Sequence, residues 1–129
     1  MIRNRSWILP AVVLLGGLPL VAAGGDAPQT LPQGVTQAMI TSGQAVFDGP
    51  GACYTCHGKG GAGSGLAPAL NDAKWLHSDG SYTAIVNQVK TGVPKPKESM
   101  IPMLPKGGSQ ITDAQINEVA AYVWSLSHK

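Results

Sequence analysis

Charge of either sign is scarce in this chain: Asp, Glu, Lys and Arg together make up 12% of its 129 residues. Arginine is absent after Arg5, phenylalanine occurs only as Phe47, and there are two cysteines. Each shortage excludes something. From Gly24 onward seven lysines (59, 74, 90, 95, 97, 106 and 129) face seven acids (26, 48, 72, 79, 98, 113 and 118), so the formal +2 comes from Arg3 and Arg5. That balance leaves no basic footprint for nucleic acid. Two cysteines cannot make a disulfide framework, and a ring between Cys53 and Cys56 would staple almost nothing. With one phenylalanine, a single small domain is short of large apolar side chains, so something else must fill its core.

What is present begins with an apolar stretch. Arg3 and Arg5 lead into Trp7-Ile8-Leu9-Pro10-Ala11-Val12-Val13-Leu14-Leu15, and the run closes on Val21-Ala22-Ala23. A charged start, an apolar middle and small residues at the end are the order of a secretory signal, which predicts residues 1–23 as a leader cut after Ala23. The alternative is an uncleaved membrane anchor, for which the run is short and broken by Pro10, Gly16, Gly17 and Pro19. Residues 24–34 are rich in Gly, Pro, Gln and Asp without periodicity and read as a flexible lead-in to a domain at 35–129.

The chemistry concentrates in Cys53-Tyr54-Thr55-Cys56-His57, the Cys-x-x-Cys-His attachment signature of a c-type haem. If this segment is helical, the two thiols share a face and can each meet a vinyl group of one porphyrin, with the imidazole beneath the ring. Three other readings fail on context. A thioredoxin-like redox pair follows a strand, and no strand pattern precedes Cys53. A structural zinc site needs a fourth ligand, and His77 and His128 stand in no recognised spacing. The following Gly58-Lys59-Gly60-Gly61-Ala62-Gly63 matches G-x-G-x-x-G but lacks the flanking strand and helix of a dinucleotide site.

Around the motif the pattern is helical. Met39, Ile40, Gly43 and Phe47 recur at helical spacing behind the N-cap Thr36, predicting a helix over 36–47 whose costly Gly43 signals the close approach of another backbone. A second helix is predicted from Ser81 to Thr91, stopped by Gly92, after a turn at Ser78-Asp79-Gly80. Residues 93–108, with Pro94, Pro96, Pro102, Pro105, Met100 and Met103, read as a stiff irregular loop holding a side chain against something rigid. Thr112 and Gln115 make a capping box before the stripe Ile116, Val119, Ala120, Val123 and Leu126.

In this order the features resemble the class I monohaem cytochromes c of bacterial type. The resemblance covers about residues 36–127 and rests on Gly43-x-x-x-Phe47, Cys53-x-x-Cys56-His57-Gly58, Ala67-Pro68-x-Leu70, the methionine loop and Ala120-Ala121-Tyr122-Val123. It implies an all-α fold of three main helices plus loops wrapped around one covalently bound haem c. The first and last helices would cross at Gly43, setting Gly43 and Phe47 against Val119, Tyr122 and Val123. Cys53 and Cys56 would form the thioethers, His57 the proximal iron ligand, and the Pro68 carbonyl would hold the far nitrogen of that imidazole. The distal ligand would be a loop methionine. Met103, followed by Leu104-Pro105-Lys106-Gly107-Gly108, fits the family pattern better than Met100, although neither is followed directly by proline. Trp75 would pack on the haem or reach a propionate, and His77 would sit at the surface or the propionate side.

The resemblance implies a periplasmic one-electron carrier rather than an enzyme, with redox proteins as partners and the membrane met only through redox complexes or a retained anchor. Lys59, Lys74, Lys95, Lys97 and Lys106 lie in segments that would border the haem cleft, where they would form a weak docking patch for an acidic partner or simply a solvated surface. Two alternatives stay open: a permanently bound haem c subunit of a larger dehydrogenase or terminal oxidase, and a sensor or peroxidase-like protein with an open distal site.

Overall fold

The computed structural model describes residues 29–129 together with Gly16 and Gly17. Apart from those two glycines, the expected signal segment 1–23 and the lead-in as far as residue 28 lie outside the described residues. Among the described residues four α-helices follow in order: α1 (Gln37–Asp48), α2 (Tyr54–His57), α3 (Tyr82–Thr91) and α4 (Asp113–Ser127). Two 3₁₀ turns, Lys59–Gly61 and Pro105–Gly108, lie between them. Among the described residues β structure is limited to one antiparallel bridge, Val93 to Met103, and no helix is long and apolar enough to cross a membrane.

The caps are where the local chemistry puts them. Thr36 Oγ1 accepts the Met39 amide at 3.2 Å and starts α1. Ser81 Oγ accepts the Ala84 amide and starts α3. At α4 both halves of the capping box form: Thr112 Oγ1 accepts from Gln115 N at 3.2 Å, and Gln115 Oε1 accepts from Thr112 N at 2.9 Å. Two of the orphan amide groups of that helix are thereby satisfied by its own sequence.

α1 crosses α4, and the crossing is made at Gly43. A Cβ there would collide with the Glu118 carbonyl oxygen and stand 2.9 Å from the Tyr122 Cβ, so hydrogen is the one side chain that lets the backbones meet. One turn on, Phe47 lies edge-on to Tyr122 with ring centroids 5.4 Å apart, a favourable aromatic arrangement. Phe47, Ile116 and Val119 are the largest wholly buried side chains and form the base of the core. α3 leans on α4 through Ile85 and Val86 and through Tyr82, whose hydroxyl donates to the Asn117 carbonyl at 3.3 Å. Ahead of α1, Leu31 packs against the same core, and the Val35 amide closes a turn onto the Pro32 carbonyl at 3.0 Å.

The proline-rich segment is more ordered than an irregular loop. Val93 and Met103 exchange both backbone hydrogen bonds, at 2.8 and 3.1 Å. The bridge forms because Gly92 ends α3 with φ of 72° and would meet the Pro105 nitrogen at 2.8 Å if it carried a Cβ. Only glycine admits both that conformation and that approach.

Candidate functional site

Cys53 carries helical dihedrals as the N-cap of α2, and the His57 amide donates to the Cys53 carbonyl at 2.9 Å. One turn of helix therefore sets the three side chains of the motif. Both thiols are unpaired, and among the described residues no strand precedes them, so the setting of a thioredoxin-like pair is missing. Among the described residues no three His, Cys, Asp or Glu side chains gather to hold a metal ion. The glycine-rich run is neither preceded by a strand nor followed directly by an α-helix. It turns as 3₁₀ and returns through Gly63 N to His57 O at 2.6 Å and Leu70 N to Gly61 O at 2.7 Å.

That return delivers Pro68. Its carbonyl oxygen lies 2.9 Å from His57 Nδ1. A carbonyl can only accept, so Nδ1 carries the proton and the neutral ring keeps its lone pair on Nε2. Burial pushes the His57 pKa below its ordinary value of 6.5, against the smaller opposing effect of the Pro68 carbonyl. The imidazole is thus held neutral and in one tautomer, the state in which it can bind a metal. Cys53 is pushed up to about 11, chiefly by burial, so its sulfur stays protonated as a free thiol. Ser64, to which no sequence motif points, pins the loop: its hydroxyl donates to the Cys56 carbonyl at 2.5 Å and accepts the Leu66 amide at 3.0 Å.

Cys53, Cys56, His57, Pro68, Trp75 and Met103 all line one cavity of about 280 Å³. Its remaining walls are largely apolar, with Phe47, Ile85, Val89, Val119 and Val123 supplied by α1, α3 and α4. Met100 stands apart. It is 99% exposed, whereas Met103 is half-buried in the cavity wall. Trp75 lies in the wall with its indole against Gly80. His77 also reaches the wall, and its Nε2 accepts the Lys97 amide at 3.2 Å.

None of the five lysines expected around the cleft lines the cavity, and two of them are engaged elsewhere. Lys74 is engaged by Glu98 at 2.7 Å, and Lys106 donates to the Ile111 carbonyl at 3.0 Å. Apolar residues hold the rim instead: Leu66, Ile101 and Leu104 line the cavity and are exposed.

The family model for cytochrome c matches residues 40–127. The chain belongs to the cytochrome c family. This cytochrome c is 34% identical over 93 residues to the cbb3-type cytochrome c oxidase subunit FixP of Sinorhizobium medicae, covering 70% of this chain and 31% of that subunit. It is 30% identical over 111 residues to a nicotinate dehydrogenase subunit of Pseudomonas putida, covering 84% of this chain and 9% of that one. The chain thus spans less than a third of either relative's length. Among solved structures, cytochrome CL of Methylophaga aminisulfidivorans superposes with a TM-score of 0.54 at 24% identity, covering 72% of this chain and 56% of that one. That likeness establishes the small all-α cytochrome c fold.

Membership means a covalently bound haem c and electron transfer as the chemistry of the domain. The residues present fit that group. Two free thiols, an imidazole with its lone pair on Nε2 and a thioether sulfur border an apolar cavity, and nitrogen with thioether sulfur is a donor set suited to haem iron.

Proposed function

We propose that this cytochrome c is an exported, periplasmic one-electron carrier in which Cys53 and Cys56 form the haem thioethers, His57 is the proximal ligand and Met103 the distal one. One observation supports it above the rest: His57 and Met103 stand in the wall of the same apolar cavity, while Met100 points into solvent. Iron that His57 and Met103 both held would have no coordination position left for a substrate, which argues for a carrier and against a sensor or peroxidase. The bound haem supplies a one-electron Fe(III)/Fe(II) couple. The chain does the rest. Pro68 fixes the imidazole, the apolar walls exclude water, and the rim at Leu66, Ile101 and Leu104 is the face a redox partner would meet. The leader-like sequence of residues 1–23 supports export. The test is a reduced-minus-oxidised spectrum and redox titration of the purified protein. Absence of c-type haem bands, or carbon monoxide binding to the ferrous form at neutral pH, would overturn the reading.

A second reading is favoured by the relatives: a haem c subunit held permanently by a larger oxidase or dehydrogenase. FixP and the nicotinate dehydrogenase relative are both named as subunits of larger enzymes. Size-exclusion of a native extract separates the two, since a carrier elutes alone and a subunit elutes with its complex.

A further inference from the structure

Three consecutive loop residues are each bonded to the facing segment across the mouth of the cavity. The Lys97 amide donates to His77 Nε2 at 3.2 Å, Glu98 pairs with Lys74 at 2.7 Å, and the Ser99 hydroxyl donates to the Leu66 carbonyl at 2.6 Å. The third differs from the others in what it joins. Leu66 lies two residues before Pro68, whose carbonyl holds His57, and Ser99 lies four residues before Met103. The Ser99 hydroxyl oxygen also accepts the Ile101 amide at 3.1 Å. A serine that binds the amide two residues on closes a side-chain turn around the residue between them, and that residue is Met100, with its side chain 99% exposed.

We infer that Ser99 is the residue that selects between the two loop methionines. Its hydroxyl does so by clamping the loop to Leu66 and turning Met100 outward. This rests on Met103 being the distal ligand. Both methionines have the same thioether and stand three residues apart, so sulfur chemistry alone does not choose between them. The Val93–Met103 bridge fixes the backbone of one. The two Ser99 hydrogen bonds fix the orientation of the other. Without the hydroxyl, the Ile101 amide loses its acceptor, the loop loses its tie to Leu66, and Met100 is free to turn toward the cavity.

The experiment is an epistasis measurement on holoprotein, read by the sulfur-to-iron charge-transfer band of the oxidised form, with helical circular dichroism as the check on folding. Met103→Ala in the native background is expected to abolish the band, because Ser99 still holds Met100 away. Ser99→Ala alone is expected to keep it, because the bridge still holds Met103. The double variant S99A/M103A is expected to regain the band from Met100, and S99T/M103A, which keeps a hydroxyl, to lack it. A folded S99A/M103A protein with no more band than M103A overturns the inference, as does recovery of the band in S99T/M103A. A band that persists in M103A alone instead overturns the assignment of Met103, which separates failure of the reading from failure of the inference.

Discussion

His57 Nδ1 and the Pro68 carbonyl oxygen are 2.9 Å apart, across a glycine-rich loop that closes onto the turn bearing the cysteines. The contact fixes the tautomer, and burial keeps the ring neutral with a pKa below 6.5. The unfolded chain therefore takes up a proton at this site more readily than the folded one. The stability this confers is complete above pH 6.5 and is lost as pH falls through the lower value of the folded protein. In the haem-free protein, where iron does not occupy Nε2, the urea midpoint should be level between pH 8 and pH 7 and fall on the way to pH 5. A midpoint unchanged at pH 5 would contradict a buried neutral His57.

The helix crossing should be intolerant of one methyl group. Gly43→Ala gains about 1 kcal/mol of helix propensity, but its Cβ meets the Glu118 carbonyl, and backbone cannot swing aside as a long side chain can. The expected outcome is a net loss of about 2 kcal/mol, read from denaturant midpoints. A stabilised Gly43→Ala protein would mean that the helices do not approach as described.

The two methionines should differ sharply. Met100→Ala removes a side chain that is 99% exposed, so stability should change by less than about 0.5 kcal/mol, and the potential should stay where it is. Met103→Ala should lower the reduction potential and destabilise the oxidised protein, since it removes the thioether from the cavity wall. Redox titration of the two variants side by side checks both statements.

Lys74 and Glu98 form an ion pair whose side chains are 65% and 52% exposed. Exposed pairs of this kind are screened by water and contribute little, so Lys74→Ala should barely move the melting temperature.

The helices were legible because their signals are local. Thr36, Ser81 and the Thr112–Gln115 box lie within one turn of the amides they satisfy, and Gly92 ends the helix it follows. Gly43 was legible for another reason: glycine is expensive mid-helix and so advertises a neighbour. The cross-loop bonds were not legible. Ser64 to Cys56, Ser99 to Leu66 and Lys74 to Glu98 join residues far apart in the chain through single polar groups. No periodicity marks such pairs. The Val93–Met103 bridge was hidden for the same reason, since a two-bond ladder inside a proline-rich segment has no alternation to reveal it. The positive φ of Lys106, at 57°, carried no warning in its residue type.

That bridge separates two tasks within one loop. Its paired amides and carbonyls tie Val93 to Met103, so residues 94–102 start and end at fixed posts and are pinned between them at Lys97, Glu98 and Ser99. Substitutions or insertions in that span can reshape the surface offered to another protein while the backbone carrying the Met103 sulfur stays where the helix end has put it. Ser99 is the exception, since its hydroxyl reaches out of the span to the Leu66 carbonyl; the exposed positions beside it can change without moving the Met103 backbone.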